Sequence, residues 1–183
     1  MRVVIMLVAL SIAVAGPASA QVEDSKSTVT VVAGVGKTFD DEGSLGRGWL
    51  VGGSIDRLIF GTTRAELTLE RLTHSRDVTY FASSGNTIIA GASLVHRFGR
   101  RAAQPYLFAG LTVGHHSGTN RFLDQAVSLS STDMGLRFGT GVAIRVGRRF
   151  ELSPELRMNG FIIDNDADPA MLPSFGVRLG LRL

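Results

Sequence analysis

"MGLRFGTGVAIRVG", residues 134–147, decides the fold. Met134, Leu136, Phe138, Val142, Ile144 and Val146 fall on one side of an extended chain, and Gly135, Arg137, Gly139, Gly141 and Arg145 on the other. Apolar character returns at every second residue, the period of a strand and not of a helix. "PYLFAGLTVG", residues 105–114, repeats the pattern, with Leu107, Ala109, Leu111 and Val113 on one face and Gly110 and Gly114 on the other. In the closing segment Phe175, Val177, Leu179, Leu181 and Leu183 alternate with Gly176, Arg178, Gly180 and Arg182.

Extended along the chain, the alternation predicts eight strands, at about 27–36, 47–57, 63–72, 85–98, 105–116, 133–146, 150–161 and 173–183. The connectors between them alternate in length: 37–46, 73–84, 117–132 and 162–172 are long, whereas 58–62, 99–104 and 147–149 are short. One end of the sheet is elaborated and the other trimmed. With an even strand number, that asymmetry predicts an all-β, antiparallel, up-and-down transmembrane β-barrel, short turns on the periplasmic side and long loops outside.

Residues 1–20 read as a secretory signal peptide, with Arg2 as the positive end, Val3 to Val14 as the apolar stretch and Ala18-Ser19-Ala20 as the small-residue cleavage pattern. The barrel domain is then 21–183. Removing Arg2 lowers the net charge from +3 to +2, with 18 basic residues against 16 acidic ones and no block of like charge, so nothing asks for nucleic acid. The chain has no cysteine, hence no disulfide, thiolate metal site or lipid-modified N-terminal cysteine.

Two barrels share this alternation with opposite faces inward. A soluble, lipocalin-like periplasmic barrel buries the apolar face around an apolar ligand; a membrane barrel turns that face to lipid and encloses the charge. Glycine placement favours the second. On a water-facing surface Gly135, Gly139, Gly141, Gly176 and Gly180 only weaken their strands, whereas in a narrow lumen small residues beside long ones let the long ones fit.

The run "FGTGVAIRVGRRFELSPELRMNGF", residues 138–161, followed by a short alternating C-terminal strand, resembles the small OmpA/OmpX-type outer-membrane β-barrel domain family. In that family a glycine-rich strand, a tight turn and an E-x-R strand recur. The resemblance implies a Gram-negative outer-membrane location, contact with outer-membrane lipid and lipopolysaccharide, and a monomer. One departure is the final residue, Leu183, where such barrels carry an aromatic.

An inward polar face brings Arg64, Glu66 and Glu70, Arg137 and Arg145, Glu151, Glu155 and Arg157, and Arg178 and Arg182 into one small lumen. Cross-strand Arg to Glu pairs offset the cost of burying each charge alone, so the expected interior is a plug of ion pairs and not an aqueous channel. Trp49 and Phe175 near the long-loop ends, with Phe98 and Phe150 near the short-turn ends, fit as interface aromatics.

Other motifs fail. "GVGKT", residues 34–38, has Val31 where a phosphate-binding loop needs its first glycine, and no helix follows. "DNDADP", residues 164–169, sets Asp164, Asp166 and Asp168 at alternate positions, but Pro169 and Phe175 replace the glycine and glutamate of a calcium loop. Four histidines, two of them adjacent, leave a zinc site short of ligands. No metal or cofactor is expected.

His115 and Ser117 are the remaining chemical candidates. Alternation places both on the lipid face at the long-loop end, where the pair looks like the site of lipid A 3-O-deacylases, in which histidine activates serine and an acidic residue orients the histidine. The orienting glutamate has no counterpart here. Asp124 and Asp133, read as loop residues, are the only substitutes. The leading expectation is therefore a non-catalytic barrel that anchors four surface loops, with lipid A acyl-ester hydrolysis and a soluble ligand-binding barrel as alternatives.

Overall fold

The computed structural model describes residues 26–40, 43–78, 81–99, 102–122, 125–162 and 170–183; the signal-peptide segment lies outside them. Eight strands, β1 (Ser27–Asp40), β2 (Gly43–Phe60), β3 (Thr63–Val78), β4 (Phe81–Arg97), β5 (Ala103–Phe122), β6 (Gln125–Val146), β7 (Phe150–Ile162) and β8 (Ala170–Arg182), pair antiparallel in sequence order. β1 also pairs with β8, which closes the barrel. At the trimmed end Gly61, Gly99 and Gly147 all take positive φ, the conformation a tight turn demands and glycine adopts without strain.

Register fixes the tilt. From Val29 the paired residues run through Ile55, Leu67, Ala92, Leu111, Leu136, Gly160 and Met171 and return to β1 at Phe39, ten residues beyond the start. That stagger requires steeply tilted strands. Side chains at one depth are therefore offset by little more than one residue per strand from their paired partners.

The strands are longer than the alternation indicates. Most of 37–46, 73–84 and 117–132 is paired strand, and β5 and β6 stay in register out to Phe122 and Gln125. These three long connectors are tall hairpins. Their polar, serine-rich sides (Ser128, Ser130, Ser131) hide the strand from a hydropathy reading, because both faces meet water there and no alternation is required.

The apolar face points outward. Leu69, Leu111 and Leu136 are 61%, 61% and 57% exposed, while the adjoining Glu70 and Arg137 are 3% and 1% exposed. A soluble barrel needs the reverse, so the lipocalin-like alternative falls. The inner face also departs from the expected lining of glycine and charge. Val32, Leu50, Leu72, Ile89, Phe161 and Leu172 are buried together inside the elaborated end, and Val95, Tyr106, Phe108 and Ala143 form a second buried group. Glycines make room for the long side chains: a Cβ on Gly91 would stand 2.7 Å from the Arg137 guanidinium, and one on Gly139 2.6 Å from the Phe108 ring.

Candidate functional site

Below the apolar layer, strands β3, β6, β7 and β8 each alternate a charged residue inward, and closure of the barrel aims them at one axis. Glu155 of β7 is the hub. It accepts from Arg178 Nη1 at 2.8 Å and from the Tyr106 hydroxyl at 2.7 Å, and Arg157 Nη2 stands 2.5 Å from its other oxygen as an ion pair. Arg178 also pairs with Glu66 and donates to Ser54 Oγ at 2.6 Å, and Arg157 also pairs with Glu70. Arg137 stands 3.7 Å from Glu70, donates to Thr68 Oγ1 and lays its guanidinium 5.4 Å from the centre of the Phe108 ring. Acid and base thus alternate along the series Glu66, Arg178, Glu155, Arg157, Glu70, Arg137.

A second set lies nearer the short turns. Arg97 grips Glu151 with both terminal nitrogens, at 2.6 and 2.9 Å, in the bidentate geometry that makes arginine–carboxylate pairs strong. Arg64 pairs with Asp56 and reaches Thr28 Oγ1 at 3.2 Å. Arg182 is buried in the same region and Arg145 half-buried opposite Glu151, both with partners of their own. Asp56, Arg97 and Tyr106 escape a sequence reading that looks for charge on the strongest strands. Parity alone identifies them, since Asp56 keeps step with Ser54, Arg97 with Ser93, and Tyr106 with Gly110.

The histidine–serine candidate divides across the wall. His115 and Ser117 are both exposed on the outside, but the His115 ring meets Thr132 Oγ1 at 2.8 Å and the Ser117 hydroxyl donates to the Asn86 carbonyl at 3.5 Å. Each turns to a neighbouring strand. Asp133, an inward residue of β6 and not a loop residue, stands 3.6 Å from Nε2 of the other histidine, His116, inside the barrel. Thr87 Oγ1 lies 3.0 Å from His116 Nδ1, Ser131 donates to Asp133 at 2.8 Å, and the Phe161 ring packs edge-on against the imidazole. Hydroxyl, imidazole and carboxylate are in line there, but Thr87 is fully buried and the carboxylate serves the histidine that Ser117 cannot reach. Asp124, Asp164, Asp166 and Asp168 lie outside the described residues.

On the outer wall, Trp49 is 72% exposed and sits opposite Val35 and Thr73, with Arg47 next toward the elaborated end. Phe98 and Phe150 are exposed at the trimmed end. Phe175 faces Val35 and Leu156, with Pro173 and Met171 beyond it toward the elaborated end. An apolar furrow runs along the outer wall from Trp49 and Val35 past Pro173, Phe175 and Met158 to Phe138. Among the described residues no group of three or more histidines and carboxylates is placed to hold a metal ion.

Solved structures of similar form are small outer-membrane barrels. The chain superposes on Neisserial surface protein A with a TM-score of 0.70 at 19% identity, over 87% of this chain and 98% of that one. On Ail, the attachment invasion locus protein of Yersinia pestis, the TM-score is 0.61 at 12% identity, over 88% and 100% of the two chains. On the outer membrane enzyme PagL it is 0.56 at 20% identity, over 81% and 97%. No curated protein sequence matches the chain. At these identities the superpositions establish the fold. Residues 6–182 match the outer membrane protein beta-barrel domain, and with an apolar outer wall and a charged interior the chain belongs to that family, as an integral β-barrel of the Gram-negative outer membrane.

Proposed function

We propose that this barrel is a non-conducting, non-catalytic monomeric anchor, exported through residues 1–20, whose role resides in its four surface loops. One observation carries the reading: an apolar layer crosses the lumen. Leu50, Leu72, Ile89, Phe161 and Leu172 come from five strands, with Val32 packed beneath them. The remaining strands contribute glycine at this level. A Cβ on Gly36 would lie 3.1 Å from Leu72 Cδ1, and one on Gly114 2.6 Å from the Phe161 ring. An apolar constriction excludes water and therefore ions, and the ion-pair layers beneath it fill the rest of the bore. The paired length of β5 and β6 raises a hairpin well above the apolar wall, where rigid backbone presents side chains to other molecules.

Conductance tests the closed bore. Protein reconstituted in planar bilayers is expected to show no steady current, and stable single-channel currents would overturn the reading. Catalysis is tested on lipid A itself. Mass spectrometry of lipid A from cells making wild-type protein, Ser117→Ala protein or none is expected to give identical species, because the carboxylate that would orient the base is committed to His116. Loss of an acyl chain with wild type but not with Ser117→Ala would make the protein an acyl-ester hydrolase.

A further inference from the structure

The chain's four histidines divide between the two faces of the wall. His96 and His115 are exposed outside. His74 and His116 alternate inward with Leu72 and Gly114, in the polar stretch of β3 and β5 above the apolar layer. Glycine lets the two rings converge. The His74 ring lies over Gly85 of β4, where a Cβ would stand 2.8 Å from its Cε1 and Nε2, and the His116 ring lies over Gly114, where one would stand 2.8 Å from Nε2. Between them β4 supplies Thr87, 3.0 Å from His116 Nδ1. The floor is apolar: Leu72, Ile89 and the Phe161 ring, which meets His116 edge-on. Among the described side chains Asp133 of β6 is the one carboxylate facing this pair, 3.6 Å from His116 Nε2 and accepting from Ser131. β1, β2, β7 and β8 present Gly36, Leu50, Phe161 and Leu172 to the same space, none of them charged. His115 adjoins His116 in the chain but faces outward.

Two imidazoles therefore share one acid, and His74 Nδ1 has no hydrogen-bond partner. A first proton, on His116, makes an ion pair with Asp133. A second, on His74, adds a cation that has no acid of its own, above an apolar floor, where unpaired charge is costly. Burial holds both rings below the ordinary imidazole value; for His116 the Asp133 carboxylate opposes that shift and His74 adds to it. The closed mouth thus binds fewer protons than an open one, so it is most stable above about pH 6.5 and weakens as pH falls through that value. His74 also sits where β3 parts from β2. Their ladder ends at Arg47 and Ser75, one row beyond Gly48 and His74, and among the described residues β3 has no partner on that side further up. We propose that His74 and His116 form a proton-triggered latch at the mouth of the barrel. Neutral, they let β3 close on β2 over the apolar layer; doubly protonated, they push β3 away, part the seam above Trp49 and admit water to that layer. The ion pairs beneath take no part, so the bore stays closed to ions when the latch opens.

Trp49, the chain's single tryptophan, pairs with Thr73 beside this seam, so its fluorescence reports on the latch. Full-length barrel in zwitterionic micelles is titrated from about pH 8 to about pH 5, the range in which imidazoles take up protons. A reversible change in emission is expected, with a midpoint below about pH 6.5. His74→Gln and His116→Gln each remove it, because the one cation left is answered by Asp133. Asp133→Asn keeps the change but lowers its midpoint by about half a unit or more, since the first proton loses its partner. His96→Gln and His115→Gln, on the outer wall, leave it as in wild type. Emission equal to wild type at about pH 8 shows that each variant is folded. A wild-type barrel whose emission is flat across the range, or a transition that persists with both inward histidines replaced, would overturn the latch.

Discussion

Glu155→Lys abolishes the stable barrel, or leaves one weakened by more than the roughly 3–5 kcal/mol that removing one partner of a buried ion pair costs. The reason is the hub. Glu155 is shared by the Arg178 and Arg157 guanidinium groups and the Tyr106 hydroxyl, and its side chain is fully buried. Reversal leaves Arg178 and Arg157 facing a third cation in a closed space with Glu66 and Glu70 as the remaining acids. Glu155→Gln keeps the shape and is expected to cost less than the reversal. The control is Arg149→Glu, an exposed charge reversal in the turn before β7, which stays within about 0.5 kcal/mol of wild type. Urea titrations of protein folded in lipid vesicles, read by Trp49 fluorescence, measure all three. A midpoint for Glu155→Lys equal to that of Arg149→Glu would show that the buried charges are not held by one another.

Leu111→Arg is expected to cost about 2–4 kcal/mol and to lower the yield of inserted protein, because it sets a cation on the lipid face within the apolar belt. Leu111 is exposed on the outer wall between Ala92 of β4 and Leu136 of β6, with Ala109 and Val113 as its own-face neighbours on β5. Nothing polar is at hand to receive the guanidinium. Ser117→Arg, on the same face but three rows nearer the hairpin tips, is expected to cost no more than about 1 kcal/mol, since the penalty falls toward the interface. The contrast between the two gives the depth of the wall, and equal behaviour of the two variants would mean that this face does not meet hydrocarbon.

Most of this architecture was legible from residues 105–114, 134–147 and 175–183, where one face must meet lipid and the other protein, so that selection writes the period into the chain. The upper hairpins were not. In β5 and β6 beyond Val113 and Met134 polar residues predominate, with Val127 and Leu129 as isolated exceptions, and the backbone pairing that holds them as strand leaves no alternating pattern in side-chain character. The interior was half legible. Arg137 and Arg178 announce themselves as charges in phase with glycine, and Glu66 and Glu155 as charges alternating with apolar residues, but Leu50, Leu72 and Ile89 read as ordinary apolar residues, and their inward direction emerges only when register is counted from neighbouring strands. Pairing of Asp133 with His116 and not His115 follows from parity across β5 and β6, since Asp133 keeps step with Arg137 and His116 with Gly114.

Closure of β1 on β8 has a kinetic consequence. Thr28 finds Arg182 across nearly the entire length of the chain, so the final seam cannot form until every intervening hairpin is in place. Each earlier species has two naked edges and an apolar side without cover, which is the condition for sticking to other copies in water. Folding dominated by such distant pairing is slow. The chain therefore depends on meeting a bilayer, or an escort that shields its edges, between leaving the inner membrane and zipping its first strand to its last.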